Sequence, residues 1–201
     1  MDRSNGYEGV AAEFIAGRGG PQSSRIGATF IRRWARGLPP GATVLDVACG
    51  TGIPTTETLL DEGLSVYAVD AAPSFVAAFQ SRFPEVPVVC EPAEESSFFG
   101  RTFDAVLSWG LMFLLEPSVQ EAVIRRMADA LTPAGRLLFT SPPQVQTWSD
   151  AMTGLESRSL GAEAYRRFLS VNGLTVLDEY EDEGENHYYD AIKKEGTASE
   201  T

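Results

Sequence analysis

Asp46 and Asp70 are the residues around which chemistry could be organised: each carboxylate sits in an apolar run, and the second follows the first by 24 residues. Val44-Leu45-Asp46-Val47 reads as a short buried strand. The turn Cys49-Gly50-Thr51-Gly52 follows, and Pro54 suits the first turn of a helix, where its missing N–H has no partner to lose. Gly50 and Gly52 permit positive φ and the approach of a ligand that a Cβ would repel. Strand, glycine turn and helix N-terminus predict a nucleotide cradle at the carboxyl edge of a parallel sheet. A carboxylate beneath that cradle would repel a pyrophosphate, whereas it can hold a cationic ammonium. Asp70, closing the run Leu64 to Val69, is spaced to accept hydrogen bonds from both ribose hydroxyls and would reject a 2′-phosphate.

The dinucleotide fingerprint needs a third small residue where Thr55 stands. The segment instead resembles motif I of the class I S-adenosylmethionine (SAM) methyltransferases, departing from it at Ala48, where many members have glycine. The resemblance implies that Asp46, Ala48, Cys49, Gly50 and Gly52 surround the methyl donor and that Asp70, with Ala71, holds its ribose. After a third strand from Val86 to Cys90, relatives carry an acid or amide for the adenine amino group. Glu91 is the first choice here and Glu94 the second. Phe103 to Gly110 resembles the family's fourth strand, which implies that Trp109 and Gly110 stand beside the donor and that Met112 and Phe113 line the acceptor pocket. The asparagine-proline-proline-tyrosine of amino-methylating relatives is absent from this place. A helix through Met127 and Leu131, the turn Thr132-Pro133-Ala134-Gly135 and the strand Arg136 to Thr140 complete the match, which spans residues 43–141, about half the chain.

The elements that must position these residues are an α/β, Rossmann-like set. The expectation is a seven-stranded, mostly parallel sheet with an antiparallel last strand, helices on both faces and an N-terminal helical lid. We read residues 1–201 as a single domain: a lid at 1–37, the SAM-binding core at 38–141, an acceptor-side segment with the last two strands at 142–192, and a tail at 193–201. Tyr7, Val10, Ala11, Phe14 and Ile15 have helical spacing, Gly17 to Pro21 breaks that helix, and a second runs from Ser24 to Arg36. In relatives such a pair covers the donor, which implies contacts from Tyr7 and from Arg18, whose guanidinium can pair with the methionine carboxylate. An irregular segment runs from Pro142 to Gly161, with Trp148 as a candidate pocket wall. A helix at Ala162 to Val171 and strands at Leu174 to Leu177 and His187 to Ile192 follow. His187, the one histidine, is the candidate general base, and Tyr188 alternates with Tyr189 so that one of the two can face the acceptor.

Composition narrows the partners. A net charge of −12 and a pI near 4.5 disfavour nucleic acid, whose binding depends on lysine and arginine at phosphates. No stretch approaches the 18 apolar residues of a membrane span, and the polar start Met1 to Gly6 points to the cytoplasm. Two cysteines without clustered histidines give no metal pattern, and no metal is expected. The acids from Asp178 to Glu185 suit a solvated loop, or the steering of a cationic substrate. The expected function is methyl transfer from SAM to a small organic acceptor by in-line displacement. The alternatives are an RNA- or protein-modifying methyltransferase, and a SAM-binding partner or sensor without turnover.

Overall fold

The computed structural model describes residues 3–17 and 25–195. Its main sheet has seven strands in the spatial order β3-β2-β1-β4-β5-β9-β8. These are β1 (Thr43–Val47), β2 (Ser65–Asp70), β3 (Val88–Cys90), β4 (Phe103–Ser108), β5 (Leu131–Thr140), β8 (Leu174–Glu181) and β9 (His187–Lys193). The first five are parallel, and β9 enters antiparallel between β5 and β8. This is the expected sheet with its inverted last strand. Val44, Leu45 and Val47 are wholly buried, as a central strand covered on both faces requires. The register sets Val47 level with Val69 of β2 and Ser108 of β4, so the turns that leave these strands open at one edge.

Six helices cover the sheet: α1 (Tyr7–Gly17), α2 (Ala28–Ala35), α3 (Thr55–Asp61), α4 (Pro73–Arg82), α5 (Pro117–Asp129) and α6 (Ala162–Val171). Pro73 and Pro117 both stand at helix starts, where a missing N–H costs nothing. One core layer holds the α5 and α6 faces (Val123, Met127, Tyr165, Leu169) against Phe103, Leu137 and Tyr189. The other holds α2 (Ile31, Trp34) and Leu59 of α3 against Val44, Leu107 and Leu138. The α1 helix packs apart from both, setting Ala11, Tyr7 and Phe14 on Phe75 of α4.

Three local expectations change. The segment expected to be irregular contains a two-stranded ribbon, β6 (Val145–Ser149) paired antiparallel with β7 (Glu156–Leu160). Its inward positions on β7 are Ser157 and Ser159, both buried, while Val145 is 80% exposed, so polarity inverts the usual strand signal. The turn expected at Thr132 to Gly135 is an irregularity inside β5. The backbone turns left-handed at Ala134 (φ 61°), and the register with β4 shifts between Phe103 and Ala105. Helix α2 starts at Ala28, four residues later than expected, because Gly27 adopts φ 82°. Among the described residues no helix is long and apolar enough to cross a membrane.

Candidate functional site

The edge where β1, β2, β3 and β4 end carries a cavity of about 320 Å³. Its floor is the turn after β1. Ala48 and Gly50 both adopt left-handed backbone there (φ 61° and 54°), and the Gly52 N–H donates to the Cys49 carbonyl at 2.8 Å. Asp70 locks this turn to the next strand: its Oδ2 accepts from the Gly50 N–H at 2.8 Å and its Oδ1 from the Ala72 N–H at 2.9 Å. Burial pushes its carboxyl up to about 6, against the opposing pull of those backbone N–H groups. Each oxygen retains a lone pair for a further donor.

The two glycines serve different ends. A Cβ on Gly50 would meet nothing within 4 Å, so this position leaves space at the cavity floor. A Cβ on Gly52 would collide with Phe83 and lie 3.0 Å from the Phe79 ring. Gly52 therefore does not line the cavity, and its smallness lets α4 pack under the turn. Asp46 is likewise placed differently from the ammonium-holding role. It is fully buried behind the turn, and the hydroxyls of Thr55 and Thr56 donate to its Oδ2 at 2.6 and 2.7 Å, fastening β1 to the first turn of α3. Burial pushes its carboxyl up to about 6, and its Oδ1 has no hydrogen-bond partner.

Of the sequence-predicted positions, the cavity brings together Tyr7, Ala48, Cys49, Gly50, Asp70, Ala71, Glu91, Glu94, Trp109, Gly110 and Phe113. The Glu91 N–H donates to the Asp70 carbonyl at 2.9 Å, and its Oε2 is buried without a partner. The Gly110 N–H donates to the Thr140 hydroxyl at 2.8 Å, fixing the backbone beyond β4.

The other predicted positions lie elsewhere. Met112 is fully buried in the core beneath the wall. Trp148, on β6, packs its ring 5.4 Å from that of Phe113 and so stands one layer behind it. Tyr188 is wholly buried, where its hydroxyl accepts from the Trp109 indole N–H at 2.9 Å and donates to Asp182 at 2.8 Å. It braces Trp109 from behind. His187 turns to the other face of β9, with its Nε2 3.1 Å from Glu179 and its ring edge against Tyr189. The antiparallel entry of β9 pairs His187 with Glu181 across the strands, and it does not line the cavity. Arg18 lies outside the described residues.

Other wall residues escaped the sequence reading. Phe14 and Phe75 complete an aromatic flank with Tyr7. The α1 helix is held there by Glu8, whose carboxylate accepts from the Ser74 N–H (3.0 Å) and hydroxyl (2.7 Å) at the start of α4, and by the Tyr7 hydroxyl, 3.3 Å from Asp150. Glu8 and Ser74 are 66 residues apart, so no local pattern announces the contact. On the opposite side Gly184 and Asn186 line the cavity from the loop between β8 and β9, which Asp182 ties by accepting from both backbone N–H groups. Among the described residues no group could hold a metal ion.

A parallel sheet with one inverted strand, a glycine turn after β1 and a carboxylate at the end of β2 define the class I SAM-dependent methyltransferases, and the chain belongs to them. Residues 44–135 match the methyltransferase-domain family. A demethylmenaquinone methyltransferase from Renibacterium salmoninarum is 33% identical over 157 residues, covering 74% of this chain and 65% of that protein. Across the curated relatives the chain spans about half to two thirds of their length. Two solved structures share the fold at low identity. The magnesium protoporphyrin IX methyltransferase from Synechocystis aligns with TM-score 0.70 and 18% identity, covering 83% of this chain and 81% of that one. The 4+2 cyclase SpnF aligns with TM-score 0.77 and 18% identity, covering 98% and 97%.

Proposed function

We propose that the chain binds SAM in this cavity and transfers its methyl group to a small organic acceptor. The observation that carries the reading is the pairing of Asp70, both of whose oxygens are fixed by backbone N–H groups, with the open left-handed turn at Gly50. The residues fit the donor chemically. Asp70 takes the ribose hydroxyls, Glu91 or Glu94 the adenine amino group, and the turn Ala48–Gly50 lies beneath the methionine portion. Bound SAM supplies an electrophilic methyl on a sulfonium. The task left to the protein is to align an acceptor behind that methyl and exclude water, which can contribute several kcal/mol without a dedicated base. Trp109, braced by Tyr188, and Phe113, backed by Trp148, form the rigid walls for that alignment. Tyr7 and Phe14 of α1 close the flank.

Demethylmenaquinone methyltransferases and the structural neighbours act on small molecules by name, in keeping with this acceptor class. The neighbouring cyclase shows that the fold also hosts other chemistry, so turnover needs its own test. Calorimetry with SAM, S-adenosylhomocysteine and NAD should give saturable binding of the first two only. Tight NAD binding without them would end the donor assignment. Transfer of a radiolabelled methyl from SAM, screened over small acceptors, RNA and protein, should label a small molecule. Labelling of RNA or protein alone would overturn the acceptor class, and a protein that binds SAM but labels nothing would be read as a sensor.

A further inference from the structure

A second recess lies at the opposite end of β4 from the cavity. It is an open hollow of about 640 Å³, formed by the later half of the β3–β4 loop (Ser96 to Thr102) and the last turn of α5. Arg101 and Arg126 both line it. In this acidic chain, arginines such as Arg32, Arg36, Arg136 and Arg166 are ion-paired. Among the described residues, Arg101 and Arg126 have no carboxylate partner. Each guanidinium is instead laid on an aromatic ring. Arg101 sits 4.5 Å from the Tyr67 ring centroid and donates to that hydroxyl at 2.6 Å. Arg126 sits 5.7 Å from the Phe98 centroid and donates to the Ser96 carbonyl. Stacking fixes the plane of a guanidinium while leaving N–H groups on its edge for an oxyanion. The Nε of Arg126 is buried and has no hydrogen-bond partner.

The loop is held in an unusual shape. Phe98 and Phe99 both adopt left-handed backbone (φ 47° and 60°), which side chains of this size rarely do. The surroundings enforce it: Phe98 is buried, and the Phe99 ring meets Tyr67 edge-on at 5.1 Å. Strain of this kind persists where the fold over-determines it and collects at binding sites. Asp129 also lines the hollow, so one carboxylate opposes two guanidinium groups and the site keeps a net positive charge. That balance fits a compact, multiply charged oxyanion better than a carboxylate. The net charge of −12 repels an extended polyanion such as nucleic acid.

We propose that this hollow binds the phosphate group of a small metabolite, held between Arg101 and Arg126 with the hydroxyls of Ser97 and Thr102 at its rim. The site is independent of the methyl-donor reading. One loop serves both places, because Glu91 and Glu94 of the same connection line the cavity, so an anion in the hollow would steady the donor wall.

Calorimetric titration of the full chain with inorganic pyrophosphate, at constant ionic strength, tests it. The expected result is saturable one-to-one binding, weakened about tenfold or more in both R101Q and R126Q, since each loses charge-assisted hydrogen bonds. R36Q, which breaks an ion pair on α2 far along the chain, should bind as the wild type does. Should R126Q fail to fold, R101Q decides, because Arg101 is exposed. No saturable binding by the wild type, or undiminished affinity in R101Q, overturns the proposal whatever the outcome with SAM.

Discussion

Asp70→Asn separates the carboxylate's two tasks, because an amide keeps the shape and loses the charge. In the wild type the carboxyl rises from an ordinary 3.8 to about 6 in the folded chain. At about 1.4 kcal/mol per tenfold change in proton affinity, the ionised folded state is about 3 kcal/mol less stable than it would be without that rise. The sign follows from the direction. A carboxyl whose folded value is raised binds its proton more tightly when folded, so stability falls as pH rises from about 3.8 to about 6 and then levels off. About half of the penalty is present at pH 5 and all of it at pH 7.5. Asn removes this titration, but it offers one oxygen to two backbone N–H groups, those of Gly50 and Ala72. One of them then faces an NH2, a loss of about 2–3 kcal/mol at every pH. Urea unfolding should therefore show D70N destabilised by about 1 kcal/mol at pH 5 and level with the wild type, or slightly more stable, at pH 7.5. Calorimetry at pH 7.5 should show S-adenosylhomocysteine bound about 10- to 100-fold more weakly, from the lost charge-assisted acceptor. An equal destabilisation at both pH values would refute the burial argument, and unchanged affinity would refute the ribose assignment.

Two further outcomes follow from the geometry. Gly52→Ala forces a Cβ into Phe83 and Phe79 at φ 80° and should lower stability by about 2 kcal/mol or more. Gly50→Ala, with open space around it, should lower stability by only about 1 kcal/mol while reducing donor affinity more; chemical denaturation and calorimetry on the pair distinguish packing from ligand space. His187→Ala should leave the rate of methyl transfer within about twofold, since a general base contributes about 100-fold or more and this ring faces Glu179. A loss of 100-fold at unchanged stability would return the imidazole to the reaction.

The donor side was legible because its signals are local. An apolar run, a glycine turn and a strand-end acid fall within short windows, and the chain's course through the sheet turns those windows into neighbours. What the sequence left ambiguous there was purpose. Gly50 and Gly52 look alike in the chain, and only the Phe79 and Phe83 rings of α4 distinguish a position that gives space from one that gives packing. Asp46 looked like a ligand group until Thr55 and Thr56 claimed it. The acceptor side was harder to read for a different reason. Its walls come from contacts spanning much of the chain, such as Glu8 to Ser74 and Trp109 to Tyr188, and the β6–β7 ribbon buries serines while exposing Val145. Periodicity arguments assume that buried means apolar, and there it fails. His187 was misplaced by the same limit, since which face of β9 meets the cavity depends on pairing with Glu181 and Glu179.

Ala48 has a consequence for redesign. It lines the cavity in a left-handed backbone conformation that suits glycine better than alanine. Its methyl group can therefore be removed with little loss of backbone energy, while the donor site gains a pocket the size of one methyl. Most attempts to widen a binding site sacrifice packing; at this position space and backbone comfort increase together. The chain thus offers a natural starting point for a variant that accepts a donor analogue too bulky for its unaltered relatives.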